Sequence, residues 1–167
     1  MTGIRTLILM RHAKSDYPEG VADHERPLAA RGIREAALAG DWIRAHLPPV
    51  DAVLCSTATR TRQTLARTGI SAPVTYAERL YDATVGIAIE VINGAPGAAN
   101  TLLVVGHEPV MSSLALGLAE PQSSDRDAAG RIALKYPTSA IAVLNTDRPW
   151  AQLELRSATL TAFQVPR

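Results

Sequence analysis

The sequence predicts an α/β fold: a three-layer α/β/α sandwich on a mostly parallel central sheet. Three observations carry that expectation. Short, nearly unbroken apolar runs alternate along the chain with segments whose apolar residues recur at helical spacing, the pattern of strands and crossover helices. The runs lack the in-out alternation of half-exposed strands, as expected for parallel strands covered on both faces. Three of them stop abruptly at polar motifs containing Arg or His, and ligands bind beyond the carboxyl ends of strands in open α/β sheets.

Arg5–Met10 reads as the first strand, and Arg11–Arg26 as a polar loop with Lys14, Ser15, Asp16, Asp23 and His24. Ile33, Ala36, Ala37, Ile43 and Leu47 then recur at helical spacing, with Gly40 on the same face allowing close approach to the sheet. Pro48-Pro49 ends that helix. Ala52–Cys55 is a second strand, followed by a helix from Ala58 to Thr68 with Gly69 as its stop. Val74–Ala77 reads as a third strand and Ala83–Ile92 as a helix. Thr101–Val105 is the most apolar strand, and Pro109 opens a helix striped by Val110, Met111, Leu114, Ala115 and Leu118. Glu120–Gly130 reads as an exposed loop. Ile132–Tyr136, Ala140–Leu144 and Ala151–Leu155 read as closing strands, the last two joined by a turn at Asn145–Pro149. The closing hairpin adds antiparallel pairing at one edge.

Residues 1–167 are read as one domain, with no repeat, linker or low-complexity tract. The chain is 47% apolar but only 4% aromatic, so Ala, Leu, Val and Ile must fill the core. A net charge of +1 gives no reason to expect nucleic acid or a membrane surface as partner. Any positive potential must be local, which suits a small anion. The single Cys55 cannot form an internal disulfide and has no flanking His or Asn, so it reads as a buried small residue. No apolar run reaches the roughly 18 residues of a membrane-spanning helix, the N-terminus leads straight into a strand without a signal segment, and cytoplasm is the expected location. A monomer is expected.

The chemistry concentrates at Arg11-His12, Ser56-x-x-x-Arg60 and His107-Glu108-Pro109. Arg carries a planar fork of donors matched to phosphate oxygens, and His can act as nucleophile or proton carrier near neutral pH. His12 is the candidate nucleophile, one ring nitrogen attacking phosphorus and the other needing a backbone carbonyl to set its tautomer. Arg11 and Arg60 are the candidate clamps. His107 is a candidate donor to an oxygen that gains charge in the transition state, with the start of the Pro109 helix adding N–H groups. The four histidines lack metal-ligand spacing, so no metal or cofactor is expected. His46 reads as surface at a helix end, and His24 as a solvated loop residue. An alkoxide leaving group needs an acid. Asp82 is the candidate, with a helix N-cap as its other reading, and Glu108 and Asp16 are further options.

Taken together, these motifs resemble the histidine phosphatase superfamily, the phosphoglycerate-mutase-like enzymes, and within it the SixA-like phosphohistidine phosphatases. The resemblance runs from Leu7 to about Val143. It rests on Arg11-His12-Ala13, Asp23-x-x-Arg26-Pro27-Leu28 with Gly32, Ser56 with Arg60 and Gln63-Thr64, His107-x-Pro109, and Thr138-Ser139-Ala140. It implies a phosphoglycerate-mutase-like fold and phosphate-pocket roles for Arg11, His12, Arg60 and His107. Ser15 adds a hydroxyl near the phosphate, and Arg26 anchors the first loop. Thr57 stands where many members have Pro, a departure expected to alter only the helix entry. Short segments between strands leave little chain for a lid. An open site suits a phosphorylated protein, phosphohistidine by resemblance, and also admits a small phosphate ester or nucleotide. A mutase needs a site closed to water, which the missing lid disfavours. A silent phosphate-binding module is the reading from another class, and retention of all four pocket residues argues against it.

Overall fold

A computed structural model describes residues 3–167. Its centre is a six-stranded sheet in the order β3-β2-β4-β1-β5-β6, with β1 (Arg5–Arg11), β2 (Ala52–Ser56), β3 (Val74–Ala77), β4 (Thr101–Gly106), β5 (Ile141–Thr146) and β6 (Thr159–Gln164). The four strands from β3 to β1 are parallel, β5 is antiparallel to β1, and β6 is antiparallel to β5. The sheet is thus mostly parallel.

Strand alternation sorts the core into two layers. Leu7, Leu9, Leu54, Leu102, Val104 and Leu144 face one side and pack against α3 (Val85–Asn93), α4 (Val110–Leu118) and α5 (Arg126–Leu134). Ile8, Met10, Val53, Cys55, Leu103 and Val143 face the other and pack against α1 (Ala30–His46) and α2 (Thr59–Thr68). Both faces are covered, which is why the strands read as apolar runs rather than alternations. Cys55 is a core residue, its thiol pushed up to about 12 mainly by burial.

Gly40 does provide a close approach, but to α2 rather than to the sheet. A Cβ there would lie 2.0 Å from the Thr68 carbonyl oxygen. Gly32 does the same against the Lys14 carbonyl, at 2.1 Å, so α1 rests directly on the loop that follows β1.

The end of the chain departs from expectation. Asp125 caps α5 by accepting from the Ala128 N–H, so a helix occupies the end of the expected loop. Ile132–Leu134 is the last turn of that helix, not a strand, and Ala128 and Ile132 bury its inner face. Ala151–Leu155 is not a strand either: Trp150–Gln152 forms a single 3-10 turn. The strand paired with β5 is β6, which begins at Thr159. A register shift between Val143 and Leu144 buries Leu160 and Phe163, three residues apart, and erases the period-two signal in the sequence. Among the described residues, no helix is long and apolar enough to cross a membrane.

Candidate active site

β1 and β4 run in parallel register, with Arg11 opposite Gly106. One residue further on, His12 and His107 therefore emerge side by side, ring centroids 5.4 Å apart. Beyond these strands the chain departs toward opposite faces, β1 toward α1 and β4 toward α4. That divergence opens a crevice at the carboxyl edge of the sheet. Ser56, at the end of β2, is the third strand-end residue here, and Arg60 enters from the first turn of α2.

His12 is held at every backbone group. Its N–H donates to the Gly106 carbonyl at 2.9 Å, and its carbonyl accepts from Ser139 N–H at 3.1 Å. Its Nδ1 lies 2.7 Å from the Ala13 carbonyl oxygen. A carbonyl can only accept, so Nδ1 carries the proton and the Nε2 lone pair is free for another role. Ala13 is fixed in turn, its N–H donating to Thr64 Oγ1 at 2.9 Å. Burial is the main force that pushes the imidazole down to about 3, with the charges of Arg11 and Arg60 adding to it. His12 is a neutral imidazole at physiological pH.

His107 Nε2 pairs with Ser56 Oγ at 2.8 Å, whereas its Nδ1 is buried with no partner among the described residues. Burial, followed by the charge of Arg60, pushes it down to about 4. The Arg11 and Arg60 guanidiniums are both tethered through Nη1, Arg11 to the Tyr136 carbonyl at 2.9 Å and Arg60 to the Asp23 carbonyl at 2.7 Å. Each leaves a buried Nε without a partner among the described residues. Two fixed guanidiniums and two neutral imidazoles form a compact cationic pocket suited to a phosphate.

Some expected residues sit elsewhere. Ser15 is buried, and its Oγ accepts from Arg26 Nη2. Arg26 also reaches the Asp16 carbonyl and Asp23 Oδ1, both at 3.0 Å, which makes it the anchor of the first loop. Glu108 turns back on α4, accepting from Ser112 N–H at 2.7 Å and Ser112 Oγ at 2.8 Å. With Met111 N–H bonded to the His107 carbonyl, the first turn of α4 offers fewer free N–H groups than the sequence implied, and Pro109 is its N-cap, after a cis Glu108–Pro109 bond. Thr84, not Asp82, caps α3. Asp82 is exposed, in a left-handed turn beside Tyr81. His46 is a surface residue stacked on Trp42. His24 is not freely solvated: its Nε2 lies 3.0 Å from Thr57 Oγ1. Thr57 thus does more than alter a helix entry, since proline has no side-chain oxygen for this bond.

Asp23, Tyr81 and Ser56 are the site residues that motif reading left without a role. The Tyr81 hydroxyl donates to the Asp23 carboxylate, and its ring edge meets His107 with centroids 5.5 Å apart. That hydroxyl, then Arg26 and Arg60, hold Asp23 well below the usual carboxylate range. The Asp-x-x-Arg pattern was the available signal for Asp23. Tyr81 had no signal beyond lying next to Asp82. Among the described residues, no three His, Cys, Asp or Glu side chains cluster as a metal site would require.

Comparison with known proteins agrees with this geometry. The sequence profile of the histidine phosphatase superfamily (branch 1) matches residues 7–90. An uncharacterized Mycobacterium tuberculosis protein is 62% identical over 95% of this chain and 100% of its own length. One from Mycobacterium leprae is 52% identical, with the same coverages. Among solved structures, a protein of Nakamurella multipartitia, assigned as a phosphohistidine phosphatase SixA, superposes with a TM-score of 0.90 at 42% identity, over 98% of this chain and 97% of the other. A SixA assignment from Agrobacterium tumefaciens gives 0.75 at 27% identity, over 97% and 99%. The profile spans the β1 and α2 motifs that build the pocket, and these likenesses run the length of the fold: the chain belongs to the histidine phosphatase superfamily, branch 1, as a SixA-like phosphatase with the phosphoglycerate-mutase-like fold.

Proposed function

We propose that the protein removes phosphate from phosphohistidine on a protein, through a covalent intermediate on His12 and without a metal. The observation that carries this reading is the His12 imidazole: buried, neutral, with Nδ1 held by the Ala13 carbonyl and Nε2 available. Nε2 attacks phosphorus, forming a P–N bond as the bond to the leaving group breaks. Arg11 and Arg60 neutralise the phosphoryl oxygens, and His107 donates to the oxygen that gains charge. Water then attacks the phosphohistidine, releasing inorganic phosphate and restoring His12. Two guanidiniums supply the positive charge a metal would otherwise bring. Ser15 Oγ accepts from Arg26 and so belongs to the anchoring of the first loop.

The leaving group argues for phosphohistidine over an alkyl ester. Glu108 is committed to Ser112 and Asp23 to cations and Tyr81. Of the other candidate acids, Asp16 accepts from the adjacent Tyr17 N–H, and both it and Asp82, next to Tyr81, are exposed. A substrate imidazole whose other nitrogen carries a proton leaves as a neutral ring, so it makes little demand on an acid. Asp82→Asn should slow alkyl phosphate cleavage more than aryl phosphate cleavage; equal losses would assign Asp82 a structural role.

The test is hydrolysis without added metal by the wild type and by His12→Ala, on a phosphohistidine protein and an aryl phosphate side by side. Faster clearance of the phosphohistidine by the wild type, with neither substrate cleaved by the variant, is expected. Cleavage of the aryl phosphate alone would replace the substrate with a small ester. Phosphate binding without turnover would make the domain a binding module.

A further inference from the structure

The Arg60 tether differs from that of Arg11 in one respect. Besides Nη1 on the Asp23 carbonyl, Arg60 Nη2 donates to Asp23 Oδ2 at 3.1 Å. One residue therefore grips the outer end of the guanidinium with both its backbone and its side chain. A guanidinium holds five N–H bonds in one plane. Committing one proton on each Nη at the outer end leaves three, of which the Nε–H and the parallel Nη2–H form the edge that engages two oxygens of one phosphate. Arg60 Nε is buried and without a partner among the described residues. Fixing the outer end fixes where that edge points.

Asp23 is itself restrained from several sides. Tyr81 and Arg26 both donate to its carboxylate. Arg26 stacks on Tyr17, its guanidinium carbon 3.5 Å from the ring centroid. The next residue, His24, pairs with Thr57 just before α2 begins. The turn carrying Asp23 is thus pinned to the helix carrying Arg60.

We propose that Asp23 is a positioning residue of the phosphate site, clamping the outer end of Arg60 so that its Nε edge faces the phosphoryl group, and that the clamp persists when phosphate is bound. This rests on the preceding reading only in taking Arg11, Arg60 and His12 as the phosphate site. Charge alone predicts the opposite behaviour. A carboxylate beside an anion site repels the anion, so removing it would tighten binding unless Asp23 acts through geometry.

The experiment is calorimetric titration of inorganic phosphate into the wild type, Asp23→Ala, Asp23→Asn, Arg60→Lys and the Asp23→Ala/Arg60→Lys double variant, with thermal unfolding of each. Asp23→Ala should weaken phosphate binding about tenfold. Asp23→Asn should recover most of that loss, because the amide oxygen still accepts from Arg60 and Tyr81. In the Arg60→Lys background, which has no fork to orient, Asp23→Ala should add less than about a twofold change, a coupling expected of residues acting as one unit. Unchanged or tighter binding by Asp23→Ala, or a full second loss in the double variant, overturns the clamp while leaving the phosphatase reading intact. Failure of the wild type to bind phosphate overturns both.

Discussion

The two ends of the parallel strands are built on different principles. At the carboxyl end, His12, Ser56, Arg60 and His107 are buried polar groups, each fixed by at least one hydrogen bond. At the amino end, a groove of about 310 Å³ is lined by Ile43, Leu47, Pro49, Val50 and Ile70, where chain turns bring α1 and α2 back to the strands. A mostly apolar concavity thus also lies at the end without the chemistry. Concavity alone therefore does not single out the carboxyl end. What distinguishes the carboxyl end is the cost of burying polar groups, which holds only where directed partners offset it.

Variants at the two ends should separate activity from stability. On the proposed mechanism, His12→Ala should abolish turnover and keep a cooperative unfolding transition, since His12 lies beyond the strand core; turnover near the wild-type rate would break the contrast. Ser56→Ala should reduce kcat roughly tenfold by leaving His107 Nε2 unpaired, in line with about 1–3 kcal/mol for an unsatisfied buried group. An unchanged kcat would show that the strand alone orients His107. Ile43→Ala at the amino end should cost about 2–5 kcal/mol in stability with kcat per folded molecule unaltered. A matching loss of kcat would mean that the two ends are mechanically coupled.

The pH dependence of stability sharpens the contrast further. His12 and His107 titrate at about 3 and about 4 when folded, and near the ordinary value of 6.5 when unfolded. Between those limits the unfolded chain binds more protons, so stability rises with pH. The contribution is complete above about pH 6.5 and is lost as pH falls toward 4 and then 3. Each group loses about 1.4 kcal/mol for every pH unit crossed in that window. Denaturant unfolding of His12→Ala should show a shallower acid slope than the wild type. An identical slope would place the titrating groups elsewhere. Ile43→Ala should lower the whole profile without changing its slope.

Much of the fold and the pocket could be read from the sequence because the signals are local. β1, β2 and β4 are apolar runs, and each delivers its polar residue at the point where the run stops. α1 and α2 carry their apolar stripes and stops within single segments. The closing elements were harder. α5 hides its short stripe, Ala128 and Ile132, behind a polar cap, and the register shift in β5–β6 removes the alternation that would have marked Thr159–Gln164 as a strand.

The sequence by itself determined which groups could do chemistry and that they lie at strand ends. Parallel strands place their carboxyl ends together, so the pairing of His12 with His107 follows from topology. Only the tertiary structure decided how those groups are held. Asp23 meets Arg60 across 37 residues and Tyr81 across 58, and Ser56 meets His107 across 51. Such contacts leave no periodic trace in the chain, because each depends on where separate elements come to rest once the core has packed.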